Sequence, residues 1–391
     1  MAESERIIER GQTVSLSKVK GNLKLEKDVT LVAESGTIVV DGAIIAKGDI
    51  TCEGNLIARN LRVKNGSFEI IGNLELQHYA QVDNKLDVSG NFTCPEVTVG
   101  GSLNVEANTL CENVKIGGTG KFGGKTQIET IKIGGTLKVY GQSNIGTVAV
   151  GGTVKLFNHG IVDEIKVGGS VKVTSGEFKT IRVGGSFRSE DKVDISSIDV
   201  GGSIGFGAEA KVTELSVGGS FTANSNVNFK HIDVGGSIKI EGNAEGESIK
   251  IGGSFMCKEN LTCSGKLLVG GSCYVEKVII ADEIDIGGKI EAKFIKANYF
   301  KIKKRGEVIG VVEAKRIIVS SRAITQDLYG SEIRIEENAR VGNVYGDNIT
   351  IEENARISGE ILYTTEVYLE KGSKLHSEPK KVKALPTPKA Y

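Results

Sequence analysis

The sequence predicts an all-β protein, a single-stranded parallel β-solenoid whose coils are triangular. Two observations carry this prediction. A glycine doublet returns at a nearly constant step, and apolar residues recur in pairs separated by two residues. A short fixed period indicates one small unit stacked on itself, and a separation of two is the side-chain period of a strand. The first glycines of the twelve doublets are Gly100, Gly117, Gly134, Gly151, Gly168, Gly184, Gly201, Gly218, Gly235, Gly252, Gly270 and Gly287.

Each repeat predicts three short strands. With the first glycine as position zero, apolar residues occupy −3 and −1, +3 and +5, and less regularly +9 and +11, as at Val193 and Ile195. The pairs begin six, six and five residues apart, and these three steps together complete one lap of the coil. We therefore expect about 17 residues per coil and roughly 21 coils. The doublet is placed at a corner, where glycine adopts backbone angles that other residues resist.

The chain is divided into five segments. Residues 1–12 are expected to form a flexible lead-in, and residues 13–95 degenerate coils in which a Gly-Asn-apolar motif replaces the doublet. Residues 96–288 hold the regular repeat, and residues 289–375 continue the coil without it. Residues 376–391 form a basic, proline-containing tail that we expect to be disordered. The step from Gly90 to Gly101 is shorter than the repeat and surrounds Pro95, which predicts a local irregularity or a junction between two sub-rods.

Composition narrows the function. The 49 basic and 49 acidic residues cancel, so no field of the whole molecule favours nucleic acid or an anionic membrane. The start has no apolar stretch long enough for a signal peptide or membrane span, which predicts a cytoplasmic protein, with membrane association as a further possibility. All six cysteines occupy inward positions and none forms a Cys-x-x-Cys pair, which favours core packing over metal or redox chemistry.

The sequence offers little for an enzyme. Solenoid acyltransferases need an active-site histidine at a subunit boundary, and a metal site needs converging ligands; the only histidines are His78, His159, His231 and His376. Residues 118–126 imitate a phosphate-binding loop, but the helix that such a loop requires has no room to follow. We expect no catalytic residue, cofactor, metal or small-molecule substrate.

A family resemblance enters near the end of the chain. Residues 335–342 and 351–359 repeat the turn Ile-Glu-Glu-Asn-Ala-Arg-apolar, and residues 306–315 read Gly-Glu-Val-Ile-Gly-Val-Val-Glu-Ala-Lys. With these motifs, residues 284–375 resemble the bactofilins. The resemblance implies a right-handed β-helix that assembles end to end, without nucleotide, into cytoskeletal filaments. Such filaments serve as scaffolds for cell shape and for positioning other proteins, often at the membrane. The glycine-doublet repeat and the longer solenoid depart from the usual family pattern.

The last coil is the predicted polymerisation contact. A parallel solenoid leaves unpaired N–H and C=O groups on its first and last coils, which invites docking with another copy. We therefore expect the chain to be its own partner by end-to-end stacking; tails that fold back as caps are the alternative. The residues proposed for the contact are Ile361, Tyr363, Val367, Tyr368 and Leu369.

A basic stripe is the second candidate site. Positions −2 and +4 of five successive coils hold nine basic residues among ten: Lys115, Lys121, Lys132, Lys138, Lys155, Lys166, Lys172, Arg182 and Arg188. The stripe is either a solvated face or, alone or with the basic tail, a contact for an anionic membrane or polymer. Beyond Gly201 the −2 position holds acidic residues such as Asp233, which also permits lateral bundling of antiparallel copies. A monomeric solenoid that serves as a binding or adhesion module is the alternative to the filament.

Overall fold

A computed structural model describes residues 5–388 and confirms the predicted fold class. Every strand pairing is parallel, the usual offset between paired residues is 17, and about 22 turns are present. None of residues 5–388 is helical. The chain divides into two compact units, Met1–Asp194 and Ile195–Tyr391. This boundary lies inside the segment that carries the regular glycine-doublet repeat.

In the described part of the first unit there are nineteen complete strands, and a twentieth spans the boundary. These are β1 (Glu5–Ile8), β2 (Thr13–Leu16), β3 (Lys18–Val19), β4 (Asn22–Leu25), β5 (Val29–Lys47), β6 (Ile50–Lys64), β7 (Phe68–Ile71), β8 (Leu74–Val82), β9 (Lys85–Val88), β10 (Phe92–Val99), β11 (Ser102–Val105), β12 (Thr109–Ile116), β13 (Thr119–Phe122), β14 (Thr126–Ile133), β15 (Thr136–Val139), β16 (Ser143–Val150), β17 (Thr153–Val167), β18 (Ser170–Val183), β19 (Ser186–Ser189) and the boundary strand β20 (Val193–Val200).

The second unit continues with twenty-one strands up to residue 388, where the described chain ends. These are β21 (Ser203–Phe206), β22 (Ala210–Val217), β23 (Ser220–Ala223), β24 (Val227–Val234), β25 (Ser237–Ile240), β26 (Ala244–Gly246), β27 (Ser248–Ile251), β28 (Phe255–Cys257), β29 (Leu261–Val269), β30 (Cys273–Val275), β31 (Val278–Ile286), β32 (Lys289–Ile302), β33 (Glu307–Val319), β34 (Ile324–Thr325), β35 (Leu328–Ile335), β36 (Arg340–Val341), β37 (Val344–Ile351), β38 (Arg356–Ile357), β39 (Ile361–Leu369), β40 (Lys374–Leu375) and β41 (Lys380–Lys381).

A regular coil has three sides, formed by one short strand and one longer, bent strand. In the coil of β11 and β12, the four residues of β11 cover one side, with Leu103 and Val105 facing inward. The eight residues of β12 cover the other two sides and alternate between buried and accessible positions on each. Thr109 and Cys111 are buried on one side, and Val114 and Ile116 on the next. The three inward pairs predicted from the sequence are therefore confirmed.

The glycine doublets lie at one corner, as predicted, but the predicted reason is wrong. None of the twelve doublets has a positive φ angle. Instead, the carbonyl oxygen of the preceding coil occupies the place of a side chain. A Cβ atom added to Gly117 would lie 2.0 Å from the carbonyl oxygen of Gly100, and one added to Gly134 would lie 2.3 Å from that of Gly117. Close backbone approach, and not backbone angle, requires glycine here.

The Gly-Asn motifs occupy a different corner from the doublets, which corrects a second expectation. Asn73 Oδ1 accepts the backbone N–H of Asn91 at 2.7 Å, and Asn91 Oδ1 accepts that of Asn108 at 3.1 Å. Asn108, which follows Ala107 and continues this ladder, lies seven residues after the doublet glycine Gly101, so the two corners belong to one coil. The step from Gly90 to Gly101 is short because the two glycines lie at different corners of the coil. No junction between sub-rods exists there.

The predicted local irregularity is present, but Pro95 is not its cause. Pro95 lies inside β10, whose pairing with β8 shifts register between Thr93 and Glu96, and β8 also shifts against β6, between Ala58 and Asn60, so the extra residue lies in β8. On the other side, β10 pairs with β12 at a constant offset of 17, from Phe92↔Thr109 to Val99↔Ile116. The bulge is thus absorbed within one coil.

Four-residue turns replace the doublet in the last coils. In the turn of residues 336–339 the N–H of Ala339 donates to the Glu336 carbonyl at 3.2 Å, and Asn338 has a φ of 60°. The turn of residues 352–355 repeats this arrangement, with Asn354 at 58°. Asparagine tolerates this left-handed conformation better than most residues, which explains the Glu-Glu-Asn-Ala sequence of both turns.

Both terminal segments are more ordered than expected. Glu5–Ile8 forms β1 and pairs with β4, so the prediction of a flexible lead-in is wrong for these residues. Lys380–Lys381 forms β41 and pairs with Leu362 and Tyr363 of β39, so the prediction of a disordered tail is wrong at this point. Residues 1–4 and 389–391, which belong to the same two predictions, lie outside the described part of the chain.

The cysteines pack in the core, as predicted. All six are free thiols and buried: Cys52, Cys94, Cys111, Cys257, Cys263 and Cys273. Burial raises the pKa of Cys52, Cys94 and Cys263 to about 12. A thiol held protonated in this way is a poor nucleophile and a poor metal ligand.

Candidate functional site

The last coil leaves inward-facing apolar residues uncovered. Val367 and Leu369 of β39 pair with Ile349 and Ile351, which are 2% and 0% exposed in the coil before. Leu369 is 39% exposed, and its outward neighbour Tyr368 is 57% exposed. No strand in residues 5–388 pairs with the outer edge of Glu366–Leu369. This edge therefore presents unpaired backbone groups beside apolar side chains.

The other half of β39 is covered by the chain's own tail. Lys380 and Lys381 pair with Leu362 and Tyr363, and the N–H of Val382 donates to the Tyr363 carbonyl at 2.9 Å. Ile361 is 1% exposed. Of the five predicted contact residues, Ile361 and Tyr363 therefore lie under or beside a short cap. Only Val367, Tyr368 and Leu369 lie on the open edge.

The first coil presents the complementary edge. β1 pairs only with β4, and β2 and β3 pair only with β5, among the strands of the described chain. Their other edges carry unpaired N–H and C=O groups. β1 ends just before the corner at Gly11, and β39 ends just before the corresponding turn at residues 370–373. The two strands thus occupy equivalent sides of the coil.

The structure places the basic stripe in two columns on either side of the doublet corner. The first column consists of outward residues at position −2, which stack in register: Lys115, Lys132, Ala149, Lys166 and Arg182. The second consists of outward residues at position +4: Lys121, Lys138, Lys155, Lys172 and Arg188. Neighbouring coils are about 4.8 Å apart, so each column sets like charges at short intervals.

Carboxylates neutralise only the later coils of these columns. Glu164 Oε1 lies 2.8 Å from Lys166 Nζ and 3.1 Å from Arg182 Nη1, and Glu190 Oε1 lies 2.5 Å from Lys172 Nζ. Hydrogen bonds from Lys166 and Lys172 lower the pKa of Glu164 and Glu190, respectively. No ion pair within residues 5–388 involves the remaining stripe residues, which are Lys115, Lys121, Lys132, Lys138, Lys155 and Arg188.

An exposed aromatic pair beside the second column was missed in the sequence. Tyr140 and Phe157 stack with ring centroids 4.8 Å apart and planes 6° from parallel. They remain 47% and 43% exposed. Both occupy position +6 of their repeats, one coil apart, and the sequence could have revealed them as large aromatic residues at an outward position.

The arrangement around His231 resembles a catalytic triad only superficially. His231 Nδ1 lies 2.8 Å from Ser248 Oγ. The carboxylates of Glu214 and Glu247 approach Nε2 only to 3.9 and 3.8 Å, distances too long for the hydrogen bond that orients a catalytic imidazole. The three aligned positions follow from coil stacking, because Glu214 pairs with His231 and His231 with Ser248.

The structure offers neither a phosphate-binding loop nor a metal site within residues 5–388. The phosphate-loop imitation at residues 118–126 contains β13 and leads into β14, a strand where a phosphate-binding motif would need a helix. Within residues 5–388 no group of three or more His, Cys, Asp or Glu side chains is arranged to hold a metal ion.

Comparison with known proteins yields no relative: no family model, curated protein or solved structure matches the chain. Among residues 5–388, no helix of sufficient length and apolarity to cross a membrane is present.

Proposed function

We propose that the protein assembles end to end, without a nucleotide, into filaments that act as a cytoplasmic scaffold for cell shape or for positioning other proteins. The observation that carries this proposal is the open edge of β39, where Val367 and Leu369 continue the inward column of Ile349 and Ile351 without a covering coil. The bactofilin-like turns of the adjoining coils, which contain Asn338 and Asn354, support the same conclusion.

The partner of this edge is the first coil of a second copy. β1 and the open half of β39 end at equivalent corners, so parallel pairing continues if Glu366–Leu369 adds to Glu5–Ile8. In that register Leu369 meets Ile8, and the outward residues Tyr368 and Ile7, 57% and 49% exposed, lie side by side. Each added copy would bury apolar surface, worth about 25 cal/mol per Å², and would pair the open edge of Glu366–Leu369 with that of β1.

Electron microscopy and sedimentation test the proposal. The wild-type protein should form unbranched fibres, and Val367→Asp or Tyr368→Arg should abolish them while leaving β-rich circular dichroism intact. Met256→Arg is the matched control, because Met256 is 41% exposed at an outward position of an internal coil. Fibres that persist in both edge variants would place the contact elsewhere. Wild-type protein that stays monomeric would favour the alternative, a solenoid that serves as a binding or adhesion module.

A cross-link locates the contact. The six native thiols are buried and should not form disulfides between copies. Cross-links therefore report only on the cysteines introduced at Ile7 and Tyr368. Adjacent parallel strands hold paired Cα atoms about 4.8 Å apart, which lies within the range that a disulfide spans. Oxidation of the Ile7→Cys/Tyr368→Cys variant should yield a ladder of covalent oligomers, whereas Ile7→Cys/Met256→Cys should not. A ladder from the control pair alone would contradict the proposed register.

A further inference from the structure

We propose that Lys121, Lys138 and Lys155, with Tyr140 and Phe157, form a binding surface for single-stranded nucleic acid. The surface lies within the first unit and does not depend on end-to-end assembly. Its elements are a column of unpaired cations and, beside it, a column of exposed aromatic rings.

Strand alternation places the cations and the rings on the same face. Position +5 is inward in these coils, and its residues Phe122, Val139 and Leu156 are at most 2% exposed. Positions +4 and +6 therefore both point outward. Two strand residues span about 6.6 Å, so Lys138 lies beside Tyr140 and Lys155 beside Phe157. A ligand whose charged backbone follows the lysines would hold its own rings over Tyr140 and Phe157.

One face of the aromatic pair is open. Phe157 covers one face of Tyr140, and the other face is turned toward the preceding coil. There the N–H of Tyr140 donates to the Phe122 carbonyl at 2.8 Å, so the residue next to Phe122, Gly123, lies below the ring. Gly123 has no side chain, and Glu106 lies one coil further. Tyr140 and Glu106 are thus two coils, about 9.6 Å, apart. The space between them accepts one more flat ring, which would extend the Tyr140–Phe157 stack.

The cations on this face lack the partners that similar cations have elsewhere. In the second unit, Lys239 and Lys258 share Glu241 at 2.7 and 2.5 Å, and Lys277 pairs with Glu259. Lys121, Lys138 and Lys155 form no ion pair with any residue in the described range 5–388. Like charges about 4.8 Å apart repel by roughly 1 kcal/mol in water. An anionic ligand along the column would remove this repulsion.

Charge and rings together favour a nucleic-acid strand over other anions. A lipid surface or an acidic polymer without rings would use the lysines and leave the Tyr140 face empty. Non-specific single-strand binders combine a positive track for the backbone with aromatic side chains for the bases. A duplex would keep its bases away from Tyr140. The exposed stack thus selects single strands, with little preference for sequence.

Fluorescence anisotropy with a labelled 30-nucleotide oligo-deoxythymidine tests this inference on the full chain. We expect a Kd of roughly micromolar order at 50 mM salt. The Tyr140→Ala/Phe157→Ala variant should weaken binding by about tenfold, with no change in affinity for polyphosphate, which has charge but no rings. The Lys121→Ala/Lys138→Ala/Lys155→Ala variant should have a lower affinity for both ligands. It should also make the slope of log K against log salt shallower by about 2.

The matched control is Lys239→Ala/Lys258→Ala/Lys277→Ala, which removes three paired lysines and should leave binding unchanged. Circular dichroism confirms that each variant is folded. Equal loss in the control, full affinity in the aromatic variant, or no binding at 50 mM salt would overturn the inference. Tighter binding to phosphatidylglycerol vesicles or to an anionic polysaccharide, insensitive to Tyr140→Ala, would overturn it in favour of a purely electrostatic surface.

Discussion

Asn73 Oδ1 accepts the backbone N–H of Asn91 at 2.7 Å, one coil further along the chain. The N–H of Asn73 in turn donates to Asn55 Oδ1 at 2.9 Å. Each asparagine thus receives one hydrogen bond from the next coil and gives one to the coil before. The second unit repeats this ladder, with Asn226 Oδ1 accepting the N–H of Asn243 at 2.8 Å.

Removing one member of this ladder should destabilise the first unit. Asn73→Ala leaves the Asn91 N–H without its acceptor, and because the corner is accessible to water we expect a loss of about 1 kcal/mol in the free energy of unfolding. Urea denaturation followed by circular dichroism measures it. Asn144→Ala, at an exposed outward position, should change stability by less than about 0.5 kcal/mol. Equal effects of the two substitutions would mean that the ladder contributes nothing specific.

Substitution of a doublet glycine should lower the free energy of unfolding more than Asn73→Ala does, although it adds only one carbon atom. A Cβ at Gly134 would lie 2.3 Å from the Gly117 carbonyl oxygen, so Gly134→Ala must displace a neighbouring coil and should cost about 2–3 kcal/mol. In Gly265→Ala the nearest atom would lie at 3.0 Å, and the cost should be clearly smaller. Thermal unfolding of the two variants provides the comparison. A Gly134→Ala protein as stable as the wild type would show that the stacked backbones are not close-packed.

The buried thiols predict an alkaline limit to stability. Burial raises the pKa of Cys263 from its ordinary 9.0 to about 12. The folded chain therefore holds this thiol protonated, and its contribution is complete below pH 9 and is lost as the pH rises from 9 toward 12. Each such thiol should lower the free energy of unfolding by up to about 1.4 kcal/mol per pH unit in that interval.

Urea midpoints between pH 8.5 and 10.5 measure this dependence. The Cys263→Ala variant should be less stable throughout, because it leaves a small cavity, but its stability should fall less steeply with pH. Parallel pH profiles for the variant and the wild type would rule out a contribution from this thiol.

The tail contact at β41 predicts an effect on assembly. Deleting residues 376–391 removes the strand that covers Leu362 and Tyr363 and opens the rest of the last coil to a second copy. The shortened chain should therefore sediment as polymer at a lower protein concentration than the wild type. Replacing residues 383–388, which follow β41, with Gly-Ser repeats is the control and should have little effect. A higher threshold for the shortened chain would instead make the tail part of the contact.

The period of the sequence was sufficient to predict the coil, because side-chain alternation and the fixed repeat step leave little freedom. Val114 and Ile116, for example, could be assigned to the core from their positions before the Gly117 doublet. The roles of the two corners could not be separated in this way. Asparagines and glycine doublets both mark turns, and only the structure shows that Asn108 and Gly101 lie at different corners of one coil.

The candidate sites were predicted less completely than the fold. The charge of the two basic columns follows directly from sequence phase, as at Lys132 and Lys138. The cap over Tyr363 does not, because a two-residue strand such as Lys380–Lys381 carries no periodic signal. The stacking of Tyr140 on Phe157 depends on side-chain rotamers, which the sequence does not specify.

The stacking of equivalent residues one repeat apart, such as Lys115 and Lys132, has a consequence for how this protein can vary. Excising or duplicating one complete repeat module returns every downstream side chain to its former face. Variants that differ by whole modules should therefore fold equally well, and natural selection or a protein engineer could adjust the dimensions of the molecule in uniform steps without redesigning either extremity.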